Sequence, residues 1–172
     1  MRLFVAGATG AIGKQLVPRL VAAGHEVHGM THSGSKEAMI REPGAVPVVA
    51  DALDPDEVAQ AVTRARPEVI VHQLTAISAI DLRPFDRDFA LTDRLRTKGT
   101  VHLLSAGPAL GVRWFVAQSD GAFRSTRTGG AVKGEEEPLN PTPVREWRPM
   151  VAAVRHLGWQ PGHPSWRQGF AA

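Results

Sequence analysis

An α/β fold built on a doubly wound parallel sheet is what this 172-residue sequence predicts, and three observations carry the prediction. The apolar run Leu3–Ala6 passes directly into glycines spaced three apart, Gly7, Gly10 and Gly13, and then into the helical spacing of Lys14–Val17. Four further apolar, strand-like runs alternate with helical segments of a length that implies right-handed crossovers between parallel strands. The balance of 43% hydrophobic and 22% charged residues is that of a globular chain able to bury its own core. About five strands are expected, in the order 3-2-1-4-5, with helices on both faces.

Taken in order, the first helix is expected over about Ala11–Ala23, burying Ile12, Leu16, Leu20 and Val21, and stopped by Gly24. Pro18 inside it removes one backbone donor and predicts a slight kink or an exposed gap. Glu26–Thr31 alternates as a second strand, His32–Lys36 reads as a loop, and Lys36–Glu42 as a short helix ended by Pro43-Gly44. Ala45–Asp51 is the third strand, at the sheet edge where Pro47 is tolerated. Asp54-Pro55 opens a helix to about Ala65 with a capping aspartate and a proline in the first turn. Val69–Leu74 is the fourth strand, Thr75–Arg87 a loop, and Asp88–Leu110 one long helical pattern that Gly99 weakens and Gly107-Pro108 breaks. Val112–Ser119 is the fifth strand. Residues 120–143 show no period, about 144–157 reads as a helix, and 158–172 as an irregular tail, so a domain over 1–157 and a tail over 158–172 are expected.

Composition excludes several classes. Zero cysteines rule out disulfides, thiolate catalysis and cysteine-based zinc sites, and no His, Asp and Glu grouping has metal-ligand spacing. The 20 basic and 17 acidic residues are interspersed, so nucleic-acid binding is not indicated. No apolar run approaches the roughly 18 residues of a membrane span, and no signal peptide opens the chain. A cytoplasmic protein without a membrane partner is expected.

The glycine stretch suggests a phosphate site. At such a strand–turn–helix the backbone passes close beneath a bound pyrophosphate and presents N–H groups at the positive end of the helix. A Cβ at Gly7 would obstruct the turn, at Gly10 the phosphate approach, and at Gly13 the packing of helix on strand. Thr9 offers a hydroxyl, and the N–H groups of Ala11 and Ile12 are expected among the donors. Gly7-Ala8-Thr9-Gly10-Ala11-Ile12-Gly13 resembles the G-A-T-G-x-x-G turn of the short-chain dehydrogenase/reductase superfamily, in its NAD(P)-dependent epimerase/dehydratase-like and atypical reductase branches. The resemblance covers about residues 1–141 and implies a Rossmann-type sheet with a dinucleotide partner. Asp51-Ala52-Leu53-Asp54 resembles the D-x-x-D segment that lines the adenine, implying contacts from Asp51, Ala52 and Leu53. His72–Ala76 holds the place of the family's fourth-strand loop, implying Gln73 and Leu74 beside the cofactor. Gly99-Thr100, Leu103-Leu104 and Gly111–Val116 resemble its helix-to-fifth-strand segment. By themselves, Asp54 also reads as a helix cap and His72 as a satisfied strand-end histidine.

An NAD site usually carries an acidic residue at the end of the second strand, whereas this chain reads Gly29-Met30-Thr31-His32-Ser33, followed by Lys36. Thr31, His32 and Lys36 are therefore expected to accommodate a 2′-phosphate, and NADP(H) to be preferred over NAD(H), although the family's more usual residue at His32 is arginine. Ser119 stands where the resemblance places the serine that hydrogen-bonds the substrate. The family's Y-x-x-x-K pair is missing: the chain has no tyrosine, and the matching spacing holds Val151 and Arg155. Valine donates no proton and arginine is too basic to exchange one near neutral pH. The chain also resembles a relative truncated before the region that closes over a substrate. An NAD(P)-binding protein without complete catalytic machinery is expected. The alternatives are a non-catalytic NADP(H)-sensing or partner-binding protein, and an enzyme using His72 with Ser119 as its acid. Trp114-Phe115-Val116 predicts an apolar edge at the fifth strand, open to a homodimer or partner.

Overall fold

The computed structural model describes residues 1–77 and 85–118, the side chains of 85–89 excepted. Along them run β1 (Arg2–Ala6), α1 (Gly13–Ala22), β2 (Glu26–Thr31), α2 (Glu37–Arg41), β3 (Val46–Val49), α3 (Pro55–Ala65) and β4 (Val69–His72). Next come α4 (Phe85–Arg94), a π turn (Leu95–Gly99), α5 (Thr100–Ala106), a 3-10 turn (Pro108–Leu110) and β5 (Trp114–Ala117). The strands form one sheet in the order β3-β2-β1-β4-β5. All four pairings are parallel, with Phe4 opposite His28 on one side and Ile70 on the other. This is the expected Rossmann-type order. It reverses direction between β2 and β4 around β1, so a crevice opens at the carboxyl ends of β1 and β4.

The period of two along β1 distributes its side chains between two cores. Phe4 and Ala6 join Met30, Ile70, the α3 residues Val58, Ala61 and Val62, and Leu103 of α5. Leu3 and Val5 face the other way, onto Val17 of α1, Ile40 of α2, Val27, Val69 and Val71. Helices therefore cover both faces, and burying these strands on two sides explains their continuous apolar runs. The cap on α3 is the one the sequence implies: Asp54 Oδ1 accepts from the amides of Asp56 and Glu57 at 2.9 and 3.0 Å.

Three boundaries differ from expectation. Helix α1 begins at Gly13, not Ala11, with Ile12 at the N-cap and 47% exposed, so Val17 rather than Ile12 faces the core. Pro18 lies exposed within the helix. The single long helix is instead α4 from Phe85, a π turn and α5. Threonines on the turn bond back to carbonyls four residues earlier, Thr97 Oγ1 to Asp93 at 2.7 Å and Thr100 Oγ1 to Arg96 at 2.5 Å, a habit that bends helices. Strand β4 ends at His72 because the Leu74 amide leaves the ladder to donate to His72 Nδ1 at 3.2 Å. Ser119, the helix expected near 144–157, the tail and its boundary lie outside the described residues.

Candidate functional site

The β1–α1 loop is fastened to its neighbours chiefly through its backbone. The Ala8 amide donates to the Met30 carbonyl at 3.1 Å, and Gln73 donates to Ala6 at 2.8 Å. Gly7 takes φ +90°, and a Cβ there would lie 2.7 Å from the Gln73 carbonyl oxygen, so the turn excludes a side chain by conformation and by space. A Cβ on Gly13 would strike the carbonyl oxygens of Gly7 and Ala8. Gly13 thus packs the helix onto its own loop rather than onto a strand. Gly10 is different: it is exposed, and an added Cβ would meet only the Gly7 carbonyl oxygen, at 3.3 Å.

The loop's donors divide in a useful way. The Ala8 and Gly10 amides are spent on Met30 and Gly7, whereas those of Ala11, Ile12 and Gly13 have no acceptor among the described residues. Unpaired N–H groups at a helix start beside a residue without a Cβ are an arrangement that takes a phosphate oxyanion. Thr9 is turned toward β2, its hydroxyl 3.4 Å from that of Thr31. Thr31 is buried and also accepts from the Ser33 amide at 3.3 Å, so its hydroxyl holds the loop and strand end together. His32 and Lys36 stand exposed beyond it, and the Lys36 amide closes a turn onto Ser33 at 3.0 Å.

The β3–α3 loop is equally organised. Asp51 Oδ1 accepts from the Leu53 amide at 2.8 Å, and the Asp51 amide donates to Glu57 Oε2 at 2.7 Å. Asp54 is occupied as the cap of α3, which settles its two readings in favour of the cap. Sequence reasoning missed a third fastening: His102 of α5 donates from Nδ1 to the carbonyl of buried Ala52 at 3.0 Å. Gly99 lies beside that contact, where an added Cβ would stand 3.6 Å from the Ala52 carbonyl oxygen and from Leu74 Cδ1, an ordinary van der Waals distance. The only legible signal was the pairing of small Gly99 with a polar His102 one turn later.

At the end of β4 the histidine is a structural group. His72 Nδ1 accepts from Leu74, so Nε2 carries the proton and donates to Thr100 Oγ1 at 2.9 Å. Burial, aided by the nearby positive charge of Arg96, lowers its pKa to about 4. Phe115 meets the ring edge-on at 6.2 Å. Both ring nitrogens are thus engaged within the fold, the arrangement of a satisfied strand-end histidine. Beside it Gln73 Oε1 is buried without a hydrogen-bond partner among the described residues. Arg96, also not singled out in the sequence, sends Nη2 to the Gln118 carbonyl just past β5, at 3.1 Å. Among the described residues no group of three His, Cys, Asp or Glu could hold a metal, and no helix is long and apolar enough to cross a membrane.

A model of the NAD dependent epimerase/dehydratase family matches residues 3–150. A 3-diazoavenalumate denitrifying reductase from Streptomyces sp is 47% identical over 158 residues, 91% of this chain and 50% of the relative. A UDP-glucose 4-epimerase from Mycolicibacterium smegmatis is 34% identical over 149 residues, covering 82% and 45% respectively. Among solved structures, the UDP-glucose 4-epimerase of Thermus thermophilus in complex with NAD aligns with a TM-score of 0.71 at 26% identity, covering 92% of this chain and 50% of that one. The chain therefore spans about half the length of the curated relatives it matches.

Proposed function

The chain belongs to the NAD dependent epimerase/dehydratase family, and from that premise we propose that residues 1–118 form the dinucleotide-holding half of a hydride-transfer protein. One observation carries the reading: the unpaired amides of Ala11, Ile12 and Gly13 beside the bare surface of Gly10. These amides receive the pyrophosphate, with Gly7 and Ala8 shaping the turn and Thr9 tying it to Thr31. Asp51, Ala52 and Leu53 border the adenine, while Gln73 and Leu74 lie beneath the nicotinamide half. The exposed His32 and Lys36, with no carboxylate at the end of β2, favour NADP(H) over NAD(H). When bound, the nicotinamide supplies or accepts a hydride.

Ser119 orients a substrate oxygen in this reading, but nothing in the chain stands in for the absent tyrosine, so carbonyl reduction, epimerisation and dehydration are not expected of these residues. A second reading is favoured by that absence together with the relative named as a denitrifying reductase. Replacing a diazonium group by hydride forms one C–H bond, breaks the C–N bond and releases N2, with no proton delivered to an oxygen. The missing tyrosine is no loss for such chemistry.

Titration with NADPH and NADH, repeated on Gly10→Val, tests the binding reading. Saturable binding that is tighter for NADPH and abolished by the substitution supports it. Equal affinity in wild type and variant overturns the phosphate site, and tighter NADH overturns the preference. NADPH oxidation with release of N2 from an arenediazonium carboxylate, but none with aldehydes, supports the second reading, and turnover of aldehydes refutes the catalytic part.

A further inference from the structure

Arg96 occupies a place that its surroundings do not explain. It lies on the π turn between α4 and α5, a deformation that recurs at functional sites. The residue is of intermediate exposure, and its guanidinium is anchored at one corner, through Nη2, to the Gln118 carbonyl beyond the end of β5. Its backbone is held as well, because the Arg96 carbonyl accepts from Thr100 Oγ1, which in turn accepts from His72 Nε2. Its backbone is therefore tied to the end of β4, and its side chain to the residue just past β5. Yet the only ion pairs among the described residues are His28–Glu26 and Arg41–Glu37, and neither neutralises Arg96. The remaining guanidinium donors find no acceptor among the described residues. Its positive charge reaches His72, one of the causes that keep that ring neutral.

A positioned guanidinium with no carboxylate partner among the described residues, at the carboxyl ends of parallel strands, is suited to an anion, since ligands of doubly wound sheets bind there. We propose that Arg96 anchors a carboxylate of the substrate at the ends of β4 and β5. A single fixed guanidinium with one edge left open matches the planar, bidentate geometry of a carboxylate. A diphosphate would call for more than one such cation. The inference rests on the reading of this end of the sheet as the dinucleotide face, and it adds the substrate's charge to that reading.

The test is calorimetric titration of the full chain, as wild type, Arg96→Gln and Arg96→Lys. The probes are para-hydroxycinnamate, its uncharged methyl ester, uridine diphosphate and, separately, NADPH. The expected result is that the carboxylate binds wild type better than the ester does and loses about 10- to 100-fold in Arg96→Gln, with partial recovery in Arg96→Lys. NADPH affinity stays within about twofold in both variants. The lysine variant keeps a cation able to reach Gln118, so it guards against a loss caused only by loosening β5. Equal binding of carboxylate and ester, unchanged carboxylate affinity in Arg96→Gln, or an Arg96-dependent preference for uridine diphosphate each overturns the proposal. A parallel loss of NADPH does so too, by making Arg96 a cofactor residue. Arg96-dependent carboxylate binding in a wild type that takes no NADPH leaves the anchor standing and removes the dinucleotide reading instead.

Discussion

Alanine at Gly10 and alanine at Gly13 are chemically the same change three residues apart, and the structure predicts opposite consequences. At Gly13 the new methyl group runs into the Gly7 carbonyl oxygen and stands 2.5 Å from the Ala8 carbonyl oxygen and 2.6 Å from its carbon. All are backbone atoms of a loop already fastened to β2 and β4, so nothing flexible can give way. Overpacking of this kind costs about 1–3 kcal/mol, and rigid neighbours place Gly13→Ala at the upper end. Alanine's better helix propensity returns roughly 0.5–1 kcal/mol, leaving a net loss of about 2 kcal/mol. For a chain of this size that lowers Tm by about 4–8 °C. At Gly10 the methyl group meets one oxygen at 3.3 Å, a contact that a small shift relieves, so Tm should move by less than about 2 °C. Its effect falls on the ligand: a phosphate held off by a methyl group loses at least one charge-assisted hydrogen bond, about 10- to 100-fold in affinity. Thermal melts followed by circular dichroism, paired with NADPH titration by fluorescence, read both quantities. A Gly10→Ala variant that binds as wild type does refutes the phosphate approach, and a Gly13→Ala variant that melts as wild type does refutes the packing argument.

Other expectations follow from the same geometry. His72 has a folded pKa of about 4 against an unfolded value near 6.5, so its stabilising effect is complete above about pH 6.5 and is lost as pH falls toward 4. Urea unfolding at pH 7 and pH 4.5 should show a loss of roughly 2–3 kcal/mol that His72→Gln largely lacks, and equal acid sensitivity in the two proteins would contradict it. His102→Ala leaves the buried Ala52 carbonyl unpaired, at a cost of about 1–3 kcal/mol, and should weaken NADPH binding. His102→Asn, which keeps a donor near Nδ1, should recover part of both, and a denaturation series with titrations checks this. Asp54→Ala removes the cap of α3 and should cost about 1 kcal/mol by the same unfolding assay. Trp114 is 63% exposed on a strand that pairs only with β4 among the described residues, so sedimentation velocity should show self-association that Trp114→Lys reduces.

The centre of the sheet was legible because β1 and β4 are buried on two faces, and such strands advertise themselves as unbroken apolar runs. The strand order followed from the alternation of strands and helices together with the handedness of crossovers. What escaped was set by contacts between distant segments. The π turn carries threonine hydroxyls that turn back to the Asp93 and Arg96 carbonyls, which a helical period cannot encode. Ile12 looked like a core residue because it keeps helical spacing with Leu16. It is exposed because the helix starts one residue after it. At the candidate site, the glycines were legible through the backbone they demand. His72 was legible as a satisfied strand-end histidine, whereas the role of His102 was not, because a histidine's function depends on which groups face its two nitrogens.

Those contacts also separate two properties that usually travel together in this family. Every fastening of the glycine loop described above is made within residues 1–118: Ala8 to Met30, Gln73 to Ala6, Thr9 beside Thr31. The adenine-side loop is likewise held by Asp51, Glu57 and His102. None of these bonds involves the stretch after Pro143, where the family's tyrosine and lysine would stand. On the proposed reading, the absence of that pair leaves the geometry at Gly7–Gly13 undisturbed. The order of dependence is physical: the phosphate cradle rests on backbone hydrogen bonds in a buried sheet, whereas proton transfer rests on one side chain that can be substituted without touching them.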